Sequence, residues 1–485
     1  MSSQKFIRNS LLLISIEIMA KGLGVVFFIV VARFLGARDL GTFAFAIAVA
    51  NFVVIPAKFG FEDLVQREVS RHPGGTYSYF LSLGSIKGLI SVTSLGIFAL
   101  GALLWSRTDP AVLTLAVAFT LVYSFMEFTN SFFRANQRAE LEMAVRLFFS
   151  VGNILLGITI LYAGYRLKGV LSMQLLSVGA SVVLAFFILK RLAGWPEQPE
   201  WQWRASWRKV AAALPFAGIL VALYLSNQIG VVFLNFLADK TAVGYFASAT
   251  RIFDAMTLIP AAITGAFLPV MSLYFVRCTS AFVRTLRFTL KYMFIFAVPL
   301  LVITSLLADR IIIFLYKQAF AASIPALRIL GLALVFSFWS FVGQSVLVAR
   351  NRERLLLGSI WVVAGVHVLG NLLFIMGYSY LGACWAICTT QAIYCVILYA
   401  ISLRRYVGLG QLLRLIAAPA LAGAVMGLAV YLLRPAHLFL AVLGGLGVYV
   451  GALFALGAVT PADQSFFRRL VATKTQDAAV GLGED

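Results

Sequence analysis

Fourteen apolar stretches of about twenty residues each follow one another along this chain, and no other feature restricts its fold so severely. The first six run over residues 11–33, 40–57, 80–105, 111–133, 141–163 and 168–189. Six more cover 211–237, 243–270, 288–308, 324–348, 356–376 and 380–402, and a final pair covers 411–433 and 437–459. About twenty residues of helix cross roughly 30 Å of hydrocarbon, and a single chain crossing lipid so often can satisfy its backbone only within helices. The expected fold is therefore an all-α polytopic membrane protein with 14 transmembrane helices. Composition agrees: of 485 residues 61% are hydrophobic and 12% charged, against about a quarter charged in a soluble chain.

Lys and Arg are more than twice as frequent on one set of alternate loops, the set that includes both termini. Short cytoplasmic loops retain positive charge, so both termini are expected in the cytoplasm, with the spans surrounded by lipid bilayer. The net charge of +20 is accounted for by this topology, and without a basic soluble domain no nucleic-acid partner is expected. The first apolar stretch is longer than a signal-peptide core and is read as a retained span. Cys384, Cys388 and Cys395 fall on one face of the twelfth span with no nearby His or acidic residue, so they read as packing and not as a metal site.

The first twelve spans are two sets of six. KGLGVVF at Lys21–Phe27 returns as NQIGVVF at Asn227–Phe233. FLGARDLGTFAFA at Phe34–Ala46 returns as FLADKTAVGYFASA at Phe236–Ala249, and GYRLKG at Gly164 returns as GYSYLG at Gly377. Six is even, so the second set enters from the same side as the first, giving two parallel six-helix lobes (6+6) plus two extra C-terminal helices. The expected divisions are residues 1–193 and 210–405 for the lobes, a cytoplasmic interfacial linker at 194–209, the added helices at 406–460 and a cytoplasmic tail at 461–485.

Charges inside spans are expensive, costing at least about 2.5 to 3.5 kcal/mol each at the bilayer centre, and such residues usually face a partner, water or a ligand. The candidates for binding substrate are Lys21, Lys87, Arg146, Arg251 and Lys291, with the polar Asn227 standing in the seventh span where Lys21 stands in the first. Glu17, Glu127 and Asp254 are the well-embedded acids and the candidates for ion coupling. Glu17 and Lys21 lie one turn apart, as do Arg251 and Asp254, and either pair could meet on one helix face. Cations outnumber acids, which suits an anionic ligand such as a phosphate. The chain has no GxxxxGK[ST] phosphate loop, so no ATP site is expected, and the only small cofactor to expect is a coupling proton or sodium ion.

At VARFLGARDLGTFAFAIAVANF, preceded by KGLG, the chain resembles the polysaccharide transporter family, the Wzx-type flippases of the multidrug/oligosaccharidyl-lipid/polysaccharide exporter superfamily. The resemblance spans residue 8 to about 405. It implies a non-enzymatic transporter that moves a polyprenyl-pyrophosphate-linked oligosaccharide from the cytoplasmic to the outer leaflet by alternating access, for surface polysaccharide biosynthesis such as that of lipopolysaccharide, with the polysaccharide polymerase machinery as a partner. Fourteen spans also resemble the lipid II flippases. A cation-coupled drug antiporter of the same superfamily would need an acid-rich cavity. A membrane-embedded oligosaccharide polymerase or ligase would need a large outer loop, and none here exceeds about sixteen residues.

Overall fold

The computed structural model describes residues 3–71, 76–105, 108–193, 207 and 214–458, with residues 3–18 described by their backbone alone. The expected linker at 194–209, apart from Trp207, the tail at 461–485 and the Glu17 side chain lie outside the described residues. Helices α1 (Ser3–Val53), α2 (Ile55–Lys58), α3 (Phe61–Arg71), α4 (Thr76–Trp105), α5 (Pro110–Ala135), α6 (Ala139–Tyr162), α7 (Leu167–Ala193) and α8 (Leu214–Leu237) come first. They are followed by α9 (Lys240–Met256), α10 (Leu258–Arg277), α11 (Thr279–Leu306), α12 (Ala308–Tyr316), α13 (Ser323–Ala349), α14 (Glu353–Leu398), α15 (Leu409–Leu432) and α16 (Leu438–Ala455). The described residues contain no strand. Among the described residues, twelve helical segments are long and apolar enough to cross a membrane. Two of them, α1 and α14, are broken in mid-course at Gly36 and Ser379, which makes fourteen spans.

Each break has a local cause. Gly36 has φ 75° and ψ 176°, a conformation open to glycine and closed to most residues with a Cβ, so span 1 can end there and span 2 begin without a loop. Eighteen residues beyond the turn the second span breaks again, at Val54, beside Ile55-Pro56-Ala57. Its counterpart in the second set breaks at Thr257, beside Ile259-Pro260-Ala261. Proline lacks the N–H that would continue the ladder and disfavours helix at the residue before it, so the same tripeptide imposes the same interruption twice. The apolar run alone places the end of span 2 at residue 57; its regular helix ends at Val53, and α2 follows after Val54.

The chain forms two compact units, one of Phe6–Ala247 and one of Ser248 onward with Met1–Lys5. In the first, α5 is central, packed against α3, α4, α6 and α7. Its core is aromatic: Phe80 stacks on Phe128 with centroids 5.9 Å apart and meets Phe132 edge-on at 5.5 Å, while Phe61 meets Phe128 at 6.2 Å. Edge-to-face and offset pairs of this kind add to the burial of their area. Elsewhere in this unit the span that follows Gly36 crosses the first turn of α9 at two glycines. A methyl group on Gly41 would overlap the carbonyl of Lys240, and one on Gly244 would overlap the carbonyl of Ala37. Gly41 and Gly244, and Ala37 and Lys240, are matching positions of the FLGARDLG and FLADKTAVG repeats, so the contact is reciprocal.

In the second unit α13 is packed between α11, α10 and α14. Gly331 faces Thr304, and Gly343 faces Leu398. His367 Nδ1 lies 3.2 Å from Thr390 Oγ1 and its Nε2 lies 3.0 Å from Asn371 Nδ2, which joins the two spans of α14 through buried polar groups. The added pair α15 and α16 leans on α11, with Gly423 against Val298 and Gly445 against Val430 on α15. Beyond the spans Arg434 Nη2 meets Asp309 Oδ2 at 2.8 Å. Partial burial alone would raise the Asp309 carboxyl, but the hydrogen bond and charge of Arg434 outweigh it and hold the group below the ordinary carboxylate range.

Tyr449 on α16 donates a hydrogen bond to the Ile295 carbonyl of α11 at 2.9 Å, in a buried position. Tyr449→Phe removes this one inter-helix bond and little volume. The expected loss is about 0.5–1.5 kcal/mol, visible as a lowered melting temperature of the detergent-solubilised protein with the helix content unchanged.

Candidate functional site

The charges that the spans of the first unit carry are gathered into one cluster. The face of α5 that presents Ser124, Glu127, Ser131 and Arg134 follows the three- and four-residue spacing of a helix, and Glu142 and Arg146 lie one turn apart on α6. Arg146 Nη2 donates to Glu127 Oε2 at 2.9 Å, and its Nε donates to Glu142 Oε1 at 2.9 Å. Arg134 Nη1 donates to the same Glu142 oxygen at 2.8 Å. Glu142 is 2% exposed at its side chain, whereas Arg146 and Glu127 are 12% and 16% exposed. The Glu142 carboxylate is thus an internal clamp on two guanidinium groups, while the Arg146–Glu127 pair reaches the boundary of the protein.

Lys87 on α4 continues the cluster inward. Its ammonium is completely buried, donates to the Ser124 hydroxyl at 2.8 Å and to the Ala57 carbonyl, and stands 3.7 Å from Glu62 Oε1. The Phe61 and Phe128 rings lie 5.3 and 5.6 Å from it, so the cation is also held by aromatic faces. The turn between α2 and α3 makes this possible: the chain leaves the helix at Phe59 and Gly60, where Gly60 has φ 67°, which presents the Ala57 carbonyl at the end of one helix and Glu62 at the start of the next. Lys58, the last residue of α2, lies 5.8 Å from the centroid of the Tyr224 ring on α8 and within electrostatic reach of Glu62 and Glu127.

Four cations, Lys58, Lys87, Arg134 and Arg146, thus face three carboxylates, Glu62, Glu127 and Glu142. Continuity with α1 is direct, because Met19 and Ala20 share a small cavity with Met143, Arg146 and Leu147. Lys21 is the next residue, and it is exposed. A cluster with surplus positive charge in a medium of low dielectric attracts a multiply charged anion more strongly than the same groups would in water.

The candidates named from the sequence fall into distinct settings. Arg146, Glu127 and Lys87 are brought together, whereas Lys21 is exposed on α1, next in sequence to the Ala20 that lies near Arg146. Within the trio, Lys87 is enclosed by protein and holds the cluster's shape, while Arg146 has the more open position. Asn227 is exposed and spends its amide on the Leu223 carbonyl of its own helix, at 2.8 Å. In the second unit Arg251 is in electrostatic contact with Asp254 and Tyr316, and Asp254 is exposed. Lys291, the partner of Lys87 by repeat position, is only half-buried.

Lys58, Glu62, Arg134, Glu142 and Tyr224 were not singled out by sequence. For Lys58 and Glu62 the available signal is Pro56: what reads as the end of a span and the start of a loop is two short helices, α2 packed on α4 and α3 on α5.

A chain of this architecture, fourteen apolar helices with a charged cluster inside them, is a multi-pass membrane protein with the fold of a helical transporter. It belongs to the family of polysaccharide biosynthesis proteins, whose pattern matches residues 6–275. No curated protein matches the sequence. Among solved structures the fold is similar to that of the lipid II flippase MurJ in an inward closed conformation, with a TM-score of 0.70 and 15% identity over 95% of this chain and 99% of that one. It is also similar to a multidrug resistance MATE family transporter of the MOP superfamily in an inward-facing conformation, with a TM-score of 0.61 and 14% identity over 82% of this chain and 98% of that one. A MOP superfamily transporter from Pyrococcus furiosus, described as having a binding pocket of reversed polarity, gives a TM-score of 0.57 and 16% identity over 83% of this chain and 96% of that one.

Proposed function

We propose that this protein is a flippase that carries a polyprenyl-pyrophosphate-linked oligosaccharide from the cytoplasmic to the outer leaflet of a bacterial inner membrane, with both termini in the cytoplasm, by alternating access between its two six-helix lobes. The observation that carries this reading is the surplus of cations over carboxylates in the cluster where Lys58, Lys87, Arg134 and Arg146 meet Glu62, Glu127 and Glu142. A pyrophosphate is a compact, multiply charged anion, and guanidinium and ammonium groups already desolvated bind it with little further cost. A site for an organic cation would show the opposite balance. Membership of a polysaccharide biosynthesis family supports the sugar-linked cargo. The fold it shares with the lipid II flippase also fits a peptidoglycan precursor, which the same transport test distinguishes. An interior-negative potential favours outward movement of a net negative charge by about 2.3 kcal/mol per 100 mV.

The test uses vesicles containing the purified protein and a fluorescent polyprenyl-pyrophosphate-linked sugar, with leaflet position read by an impermeant quencher. We expect flipping by the native protein and a rate reduced roughly tenfold to a hundredfold in Lys21→Ala and Lys58→Ala, the effect of losing a charged contact of about 1.5–3 kcal/mol. Transport of a lipophilic cation in place of the lipid-linked sugar would overturn the reading. Transport confined to lipid II would move the protein to the peptidoglycan pathway.

A further inference from the structure

The cluster around Arg146 has more acceptors than its two arginines use. Glu127 and Glu142 each give one oxygen to Arg146, and the second oxygen of each, Glu127 Oε1 and Glu142 Oε2, is buried without a hydrogen-bond partner among the described residues. Asn130, one turn from Glu127 on the same helix, is fully buried, and neither of its amide atoms has a partner there. Buried polar groups in native proteins are nearly always paired, so a side chain with both amide atoms idle one helical turn from an idle carboxylate oxygen marks a place where something binds.

We propose that this place holds a proton, taken up by Glu127 when Arg146 exchanges its Glu127 partner for a phosphate oxygen of the arriving headgroup. The inference rests on the anionic substrate proposed above and adds the means by which its charge is compensated. In the resting arrangement the Arg146 guanidinium donates to ionised Glu127. After the exchange it donates to the pyrophosphate, a hydronium ion of the adjoining solution has passed its proton to Glu127, with one O–H bond broken there and one formed on the carboxylate, and Asn130 completes the hydrogen bonding of the neutral acid. The hydronium is left as water, and one negative charge of the headgroup is offset by that one proton.

Glu127 and not Glu142 is the acceptor for two reasons. Glu142 keeps Arg134 as a partner throughout and is 2% exposed at its side chain, whereas Glu127 has a single guanidinium partner and is 16% exposed, although its Oε1 is buried. Lys58 on α2 and Lys87 on α4 are the lysines within electrostatic reach of Glu127, Glu142 on α6 is the acid within reach of it, and Glu62 on α3 interacts with both lysines. The helix α7, packed along α5, carries charge only at its ends, with Lys168 paired to Asp109 and Lys190 and Arg191 in its last turn. The incoming pyrophosphate brings negative charge to the lysines and removes the direct hydrogen bond of Arg146, so the balance at Glu127 reverses on binding.

The experiment titrates the full-length protein in detergent with farnesyl pyrophosphate in a weakly buffered solution at neutral pH, with a pH indicator reporting proton exchange and calorimetry reporting binding. The expected result is close to one proton taken up per ligand bound by the native protein. Glu127→Gln, which keeps an acceptor for Arg146, is expected to bind at least as tightly with the uptake abolished. A second measurement needs no variant: a protonated-carboxyl band should appear in the infrared difference spectrum on adding ligand. Binding without proton uptake, or uptake that survives Glu127→Gln, overturns the exchange while leaving the anion-binding reading intact. Failure of the native protein to bind the pyrophosphate at all overturns that reading and the exchange with it.

Discussion

Arg146→Ala is expected to cost about 3–5 kcal/mol of stability and to abolish transport, the largest effect of any single change in the charged cluster. The size follows from what is left behind. Glu127 loses its guanidinium partner, and Glu142, sealed from water, keeps only Arg134. Stranded buried carboxylates cost more than the ion pair itself contributed, so the penalty lies in the acids and not in the missing arginine. Adding Glu127→Gln to Arg146→Ala should therefore recover part of the stability without recovering any transport. Melting of the detergent-solubilised protein measures the first, and accumulation of lipid-linked oligosaccharide in cells at equal membrane levels measures the second. Equal stability of Arg146→Ala and the native protein would show that the two carboxylates are not held by this residue.

Gly41→Ala should be the most damaging one-carbon change outside the cluster. The added methyl meets the Lys240 carbonyl and the backbone nitrogen of Gly244, and backbone cannot rotate aside as a side chain can. The helices must separate, with loss of the packing around them, so transport should fall to background and the melting temperature should drop. Gly22→Ala provides the comparison. Nothing lies within 4 Å of a methyl group there, and alanine in a helix is favoured over glycine by about 0.5–1 kcal/mol. That variant should be as stable as the native protein or slightly more so. Normal melting and transport in Gly41→Ala would mean that the crossing is looser than the structure has it.

The spans could be read from sequence because crossing lipid sets one requirement, a run of apolar residues of fixed length, that hydropathy measures directly. What hydropathy does not measure is the direction a side chain takes around its helix. Lys87 and Lys291 occupy matching positions and look alike in sequence, yet one is walled in by Phe61, Phe128 and Ser124 and the other is half-buried. Arg146 was legible as a charge in a span, but its partners Glu142 and Arg134 lie near helix ends, where charged residues are ordinarily solvated and attract no notice. Lys58 and Glu62 were hidden for a related reason. They follow Pro56, and a proline at the end of an apolar run reads as the start of a loop, although here the chain resumes as helix and turns both side chains toward neighbouring spans.

The crossing of Gly41 and Gly244 also speaks to ancestry. Each glycine meets a carbonyl that matches, position for position, the carbonyl met by the other. In a present-day chain these are two contacts maintained by two codons. In a progenitor half as long, assembled as a two-fold dimer, they would have been a single contact, with residue i of one copy touching residue j of the other and j touching i. One substitution in such a progenitor would have clashed twice, so the glycine would have been fixed before duplication and fusion of the gene. Once fused, the two halves could drift apart, as Lys87 and Lys291 have in their surroundings, but this position could not: backbone against backbone leaves nothing for a compensating mutation to change.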